Sequence, residues 1–374
     1  MAALILNSLE IRRFRAFQYL SIEKLGRVNL IVGKNNVGKS CLLEALQLYA
    51  SRAHPTFIWQ ILGAHDEDIR SALRSPDYNI EEVLPMVKYL FHGRRDITGP
   101  IEAIEIGPIN SPEEKLLLSI EFYTSKTDEE GQRTLQLLQG TLFEEYAPIE
   151  NSIPRFFIQL GKNRTITYPL DLRGSASRLL RSELKEINSI FTAANGLDKR
   201  KVAELWDKIA LTDLQKEVLE ALRIIAPGLQ DISVIGDPNS KRQRFTIVKV
   251  VGIPEPLPIR SLGDGMQRLL GIALALVNAK DGLLLIDEIE NGLHYATQPD
   301  LWRLIFQLAH ELNVQVFATT HSWDCIEAFQ EAARENVQEE GMLIRLEHKK
   351  GEVSATLFNE QKLAAVTRAQ VEVR

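Results

Sequence analysis

The run Gly33-Lys34-Asn35-Asn36-Val37-Gly38-Lys39-Ser40 constrains this chain more than any other stretch. It follows the apolar Val28-Asn29-Leu30-Ile31-Val32 and leads into Cys41-Leu42-Leu43-Glu44-Ala45-Leu46, so strand, loop and helix stand in the order that a phosphate-binding loop requires. Glycines let the backbone curl until successive N–H groups point at phosphate oxygens, and the start of a helix adds partial positive charge. Lys39 would then reach the β- and γ-phosphates, and Ser40 would ligate Mg²⁺. The expected nucleotide-binding residues are Gly33, Lys34, Asn35, Asn36, Val37, Gly38, Lys39, Ser40 and Cys41.

The chain has 374 residues, 45% hydrophobic and 25% charged, enough to bury one large core or two adjoining ones. A formal net charge of −6 does not announce a nucleic-acid binder. Residues 1–60 nevertheless hold eight Lys or Arg against three acidic residues, a local surplus of five that suits a nucleotide site and would also allow contact with DNA. With Cys41 and Cys325 the only cysteines, no disulfide framework is expected and a reducing cytoplasm is the natural compartment. Met1 to Leu6 is too short an apolar run for a signal peptide, and the longest apolar stretch, Leu269 to Val277, is far below membrane-spanning length.

Alternation predicts strands over 3–11 and 17–23 ahead of the central strand 28–32, and a helix from the loop to Ala50. Residues 54–92 are helical in pattern but interrupted by Pro55, Pro76 and Pro85. From 101 to 167 the pattern favours strands, at 101–106, 116–123, 135–138 and 155–160, which predicts an antiparallel sheet beside the nucleotide-binding core. Helices are expected at 176–191, 198–210 and 212–225 as a short arm, followed by strands at 232–235 and 245–251. The last third alternates helix 266–279, strand 283–287, helix 297–312, strand 314–319 and helix 323–332, the signature of a parallel sheet. A hairpin at 342–358 and a helix from about 360 complete the pattern.

Three further motifs decide the class. Leu283-Leu284-Leu285-Ile286-Asp287-Glu288 reads as a buried strand that delivers two carboxylates to its C-terminal end, Asp287 for the Mg²⁺ shell and Glu288 to polarise the attacking water. Before it, Ser261-Leu262-Gly263-Asp264-Gly265-Met266-Gln267-Arg268 places small residues at the head of an apolar helix, where a phosphate would be welcome. After it, Thr319-Thr320-His321-Ser322 ends a strand with a histidine able to donate to a terminal phosphate. Taken singly, a capped helix and a structural histidine are the blander readings of the last two.

In this order, phosphate loop, signature, acidic strand and histidine, the motifs resemble the ATP-binding-cassette branch of P-loop ATPases. Ile11-Arg12-Arg13-Phe14-Arg15 ahead of the loop and Glu290-Asn291-Gly292-Leu293-His294 after the acidic pair are similar to RecF, the structural-maintenance ATPases and, above all, the ATPase half of the OLD (overcoming-lysogenization-defect) nucleases. The resemblance implies an α/β ATPase head with a mixed central sheet, an antiparallel β subdomain and a short helical arm. It would form one domain assembled from 1–95 and 230–374, with a β-rich segment 96–170 and a helical insertion 171–229. Two positions depart from the pattern: Ile289 stands where a proline commonly follows the acidic pair, and the residues after His321 contain no Asp-x-Asp pair after an acidic strand. No TOPRIM nuclease site is therefore expected within this sequence.

The resemblance also implies that ATP with Mg²⁺ is sandwiched between two head-to-tail protomers. Gly33 to Cys41 of one would hold the phosphates, Ser261, Gly263 and Gly265 of the other would cap the γ-phosphate, and Glu288 and His321 would drive and sense hydrolysis. The expected partners are a second copy, in a homodimer or a higher even-numbered oligomer, and a separately encoded effector such as a TOPRIM nuclease, in phage defence or DNA maintenance. No membrane partner is expected. The alternative is a RecF-like clamp that binds DNA in an ATP-dependent way without a nuclease partner. Gln159 is one of several candidates for the glutamine that such sites carry.

Overall fold

In the computed structural model the described residues are 3–65, 80–97, 101–127, 133–138, 152–162, 164–170, 184–237, 240–335, 341–349 and 351–359. Three sheets organise them. The central one is built on the apolar runs, in the order β16-β15-β3-β14-β13-β9, with β3 Val28–Val32, β9 Ser189–Thr192, β13 Leu283–Ile286, β14 Gln315–Thr319, β15 Gly341–Lys349 and β16 Glu352–Asn359. From β15 to β9 all neighbours are parallel; only the β15–β16 hairpin runs antiparallel.

Every residue of β3, β13 and β14 is buried because both faces of the sheet are covered, which explains why these strands read as continuous apolar runs. Side chains alternate between two cores. Ile31, Leu283, Leu285 and Phe317 join the core containing Leu42, Leu43 and Leu46 of helix α1, Lys39–Ala50. Leu30, Leu284, Ile286 and Val316 join the other, shared with α6 Asp264–Asn278, α7 Gln298–Glu311 and α8 Trp323–Glu335.

The second sheet is antiparallel, in the order β2-β1-β4-β5-β7-β8 with β6 paired to β5. Its strands are β1 Leu9–Phe14, β2 Phe17–Ile22, β4 Ile104–Gly107, β5 Leu116–Thr127, β6 Arg133–Leu137, β7 Ile153–Leu160 and β8 Arg164–Pro169. The N-terminal hairpin and the β-rich segment thus form one continuous sheet, with β1 bonded directly to β4. Helices α2, Pro55–Gly63, and α3, Ile80–Val87, follow α1, and α2 starts with a proline whose missing N–H costs nothing there.

The helical insertion differs from expectation in two ways. Residues 176–183 lie outside the described residues, and Ser189–Thr192 is not helix but the edge strand β9, in parallel register with β13 from Ser189–Leu283 to Thr192–Ile286. Sheet hydrogen bonds with β13 override a local helical pattern here. The other two helices exist, α4 at Lys199–Ile209 and α5 at Leu214–Arg223, yet they do not project as an arm. Leu205, Trp206, Val218 and Leu222 sink into the second core beside Leu269 and Ile272 of α6. The small sheet β10 Leu229–Asp237, β11 Ser240–Val250 and β12 Leu257–Pro258 covers this unit and leads into the signature segment. The helix expected from about 360 lies outside the described residues.

Candidate active site

The parallel strands deliver their C-terminal ends to one rim, where β3 runs into the phosphate loop. Gly33 sits at φ 146°, Asn36 at 61° and Gly38 at 101°, so the loop passes repeatedly through conformations that favour glycine or asparagine. A Cβ on Gly33 would lie 2.4 Å from the Leu346 carbonyl oxygen of β15, which makes glycine obligatory at that position. Val37 is 2% exposed and packs inward, whereas Lys34, Asn35 and Asn36 face solvent. Helix α1 starts after Gly38 with no side-chain cap, so its first N–H groups remain available to an anion.

Lys39 is 6% exposed, and its Nζ donates to the carbonyls of Gly33 at 2.7 Å and Lys34 at 3.0 Å. Burial holds its pKa below the ordinary lysine value, against the opposing pull of Asp287, Glu288 and Glu290. Ser40 Oγ donates toward Asp287, 3.1 Å from Oδ2 and 3.3 Å from Oδ1. Three hard oxygens therefore converge where a Mg²⁺ ion would need them, and this donor set fits that ion.

The acidic pair is held by its neighbours. Thr319 Oγ1 donates to Asp287 Oδ1 at 2.6 Å and accepts from the Glu288 N–H at 2.8 Å. Glu288 itself adopts φ 47°, an uncommon conformation for a residue with a side chain. Its Oε1 lies 3.3 Å from His321 Nε2, and its Oε2 accepts from Asn291 Nδ2 at 2.5 Å. Arg268, from the segment that precedes the acidic strand in sequence, is 7% exposed. Its Nη1 donates to Ala193 O at 2.7 Å and its Nη2 to the carbonyls of Asp287 and Glu288, both at 2.9 Å. Burial lowers the pKa of this guanidinium, while Glu290, Asp287 and Glu288 oppose the shift.

A cavity of about 560 Å³ joins Asn35, Asn36, Gly38, Lys39, Ser40 and Cys41 to Glu288 and His321, and Arg15, His65 and Arg94 complete its wall. Ser261, Gly263 and Gly265 do not line it; they sit at the head of α6, with Ser261 and Gly263 exposed. Gly265 packs so closely against the next turn that a Cβ would meet Gly292 O at 2.9 Å. Gln159 lies on β7, donates to Gly161 O and is not among the residues lining this cavity.

Arg94, Arg268 and Asn291 escaped the sequence reading as site residues. Arg268 and Asn291 stood inside quoted motifs, but only the fold reveals what they touch. Arg94 follows the Phe91-His92-Gly93 turn, and its guanidinium carbon lies 5.7 Å from the Tyr89 ring centroid. Three of the eight positive residues in 1–60 are paired with carboxylates: Arg12 with Glu10, Arg13 with Glu105, and Arg15 with Glu44 at 3.0 Å.

Residues 4–132 match a family described as an AAA ATPase domain, and residues 250–324 match one described as an AAA domain, putative AbiEii toxin, Type IV TA system. The chain is 26% identical over 357 residues to a Helicobacter pylori protein named ATP/GTP phosphatase, a match covering 88% of this chain and 89% of that one. Among solved structures it is similar to an Smc head bound to the C-winged helix domain of ScpA, with TM-score 0.48 and 13% identity over 95% of this chain and 98% of the other. The SMC head domain from Thermotoga maritima gives TM-score 0.44 and 12% identity over 95% and 99%. No described helix is long and apolar enough to cross a membrane. With the phosphate loop inside one ATPase-domain match and the acidic pair and His321 inside the other, the chain is a P-loop ATPase.

Proposed function

We propose that this ATPase is a dimerising switch related to the ATPase half of OLD proteins, which closes head to tail on ATP and gates a separately encoded effector, a nuclease in the leading case. The observation that carries the reading is a separation. Phosphate loop, Glu288 and His321 share one cavity, whereas Ser261, Gly263 and Gly265 lie outside it at the exposed head of α6. A second copy would bring its own helix head to the open side of the cavity and complete it. The match of residues 250–324 to a family described as an AAA domain, putative AbiEii toxin, Type IV TA system supports a link with a toxin–antitoxin system. Arg12, Arg13 and Arg15 are engaged by carboxylates of the same chain, which weakens the case for direct DNA contact through those three residues.

In the reaction, Lys39 would exchange the loop carbonyls for the β- and γ-phosphate oxygens. Ser40 and Asp287 would hold Mg²⁺, which when bound neutralises charge building on the phosphates. Thr319 fixes Asp287 and the Glu288 backbone together. Glu288 would take the proton of the attacking water, and its contact with His321 Nε2 keeps the carboxylate facing the cavity. His321 would then donate to the terminal phosphate and register its loss, biasing the closed and open dimers. The test is the solution mass of Glu288→Gln with ATP and Mg²⁺. The proposal expects a doubled mass that reverts when ATP is removed; a mass indifferent to ATP in a variant that still binds the nucleotide overturns it.

A further inference from the structure

Glu290 belongs to the same acidic run as Asp287 and Glu288, yet the chemistry above gives it no task. The fold places it at a junction. Strand β14 ends at Thr319, and the Thr320 N–H still reaches Ile31 O of β3 at 3.1 Å. The next amide belongs to His321. Its N–H donates instead to Glu290 Oε1 at 2.8 Å. The two turns are otherwise joined through Thr319: its hydroxyl accepts from the Glu288 N–H, and its carbonyl accepts from the Ile289 N–H at 3.1 Å. Of these three bonds, only the one that Glu290 accepts comes from the histidine.

The second carboxylate oxygen, Glu290 Oε2, is buried with no hydrogen-bond partner among the described residues. The residue as a whole is half-buried, but an oxygen shut away from water without a partner is costly, and nearby Arg268 and Lys39, on both of which Glu290 acts electrostatically, offset that cost. An apolar residue would avoid that cost but could not accept the His321 N–H.

We propose that Glu290 is a positioning residue for hydrolysis: it fixes the backbone of His321 so that Nε2 meets Glu288 Oε1. The inference rests on the role proposed above for His321. It requires an acceptor oxygen at this place and not a negative charge as such. Glutamine keeps that oxygen and alanine removes it.

The experiment measures kcat and KM for ATP in Glu290→Ala, Glu290→Gln, His321→Ala and the Glu290→Ala/His321→Ala double variant. Misplacement of a catalytic contact by about an ångström costs on the order of 10²-fold. Glu290→Ala is expected to lose at least about tenfold in kcat with KM little changed, as part of that range. Glu290→Gln retains most of the rate, and the double variant is no slower than His321→Ala. If alanine prevents folding, Glu290→Asp, one methylene shorter, carries the same comparison in both backgrounds. The inference is overturned if Glu290→Ala keeps the parental kcat while His321→Ala is slow. It is equally overturned if Gln is as slow as Ala, or if removing Glu290 slows the His321→Ala enzyme by the factor seen in the parent. A parental rate in His321→Ala instead overturns the role of the histidine itself.

Discussion

Replacing Arg268 by Met removes a guanidinium while keeping most of the aliphatic stem that fills its place in α6. Three carbonyls lose their donor, those of Ala193, Asp287 and Glu288. Hydrogen bonds to a charged group contribute about 1.5–3 kcal/mol each, which for three gives a gross term of about 4–9 kcal/mol. Desolvation of the cation, which depresses its pKa, takes back a large part, leaving a net loss of about 2–4 kcal/mol. At an m-value of about 2–3 kcal/mol per molar, the urea midpoint falls by roughly 1 M. The kinetic effect is more diagnostic. Arg268 does not line the cavity, so KM for ATP should hardly change, whereas the acidic turn, free to drift by an ångström, should lose about 10²-fold in kcat. Lysine should recover only part, because one ammonium cannot reproduce the planar fork. Steady-state phosphate release on the folded variant decides the matter. A kcat within about twofold of the parent, or a rise in KM at constant kcat, would refute the view that Arg268 clamps the catalytic turn.

Two further outcomes follow from the loop and its wall. Gly33→Ala combines a Cβ placed 2.4 Å from Leu346 O with φ 146°; backbone strain of this kind costs about 1–3 kcal/mol before the clash is added, so both nucleotide affinity and the thermal midpoint should fall. Calorimetry of ATP binding and a melting curve check it, and parental values for both would contradict the loop geometry. Arg94→Ala removes a cation from the cavity wall and should weaken ATP binding about five- to tenfold, with a shallower salt dependence, as read by titration at two ionic strengths.

Much of the core was legible because its strands are short, apolar and bounded by the loop and the acidic pair. Val28–Val32 and Lys39–Ala50 coincide with the expected strand and helix. The order of phosphate loop, acidic strand and His321 likewise located one rim before any strand order was known, since parallel strands that all feed helices must end on the same side. What stayed hidden depends on contacts between distant segments. Ser189–Thr192 looks helical because its apolar residues continue a helical spacing, and only pairing with Leu283–Ile286 makes it a strand. Helices α4 and α5 read as an arm because an amphipathic face does not say what it covers; here it covers α6. Arg94 lies some 55 residues beyond Lys39, in a turn with no pattern of its own, and reaches the cavity only through the fold. Thr319 was quoted as a strand end, yet its hydroxyl turns out to tie Asp287 to Glu288.

The central claim, that one active site is shared by two copies, is tested most directly by mixing two crippled variants. Lys39→Ala spoils the phosphate loop and leaves the helix head intact; Ser261→Arg, at an exposed position, spoils the helix head and leaves the loop intact. Each alone should hydrolyse ATP at a small fraction of the parental rate. In a mixed dimer one of the two sites combines an intact loop with an intact helix head, so an equimolar mixture should regain roughly a quarter of the parental rate if subunits exchange freely. If the mixture is no faster than the mean of its parts after exchange has been verified, or if Ser261→Arg alone is fully active, the site is complete within one chain and the account is wrong.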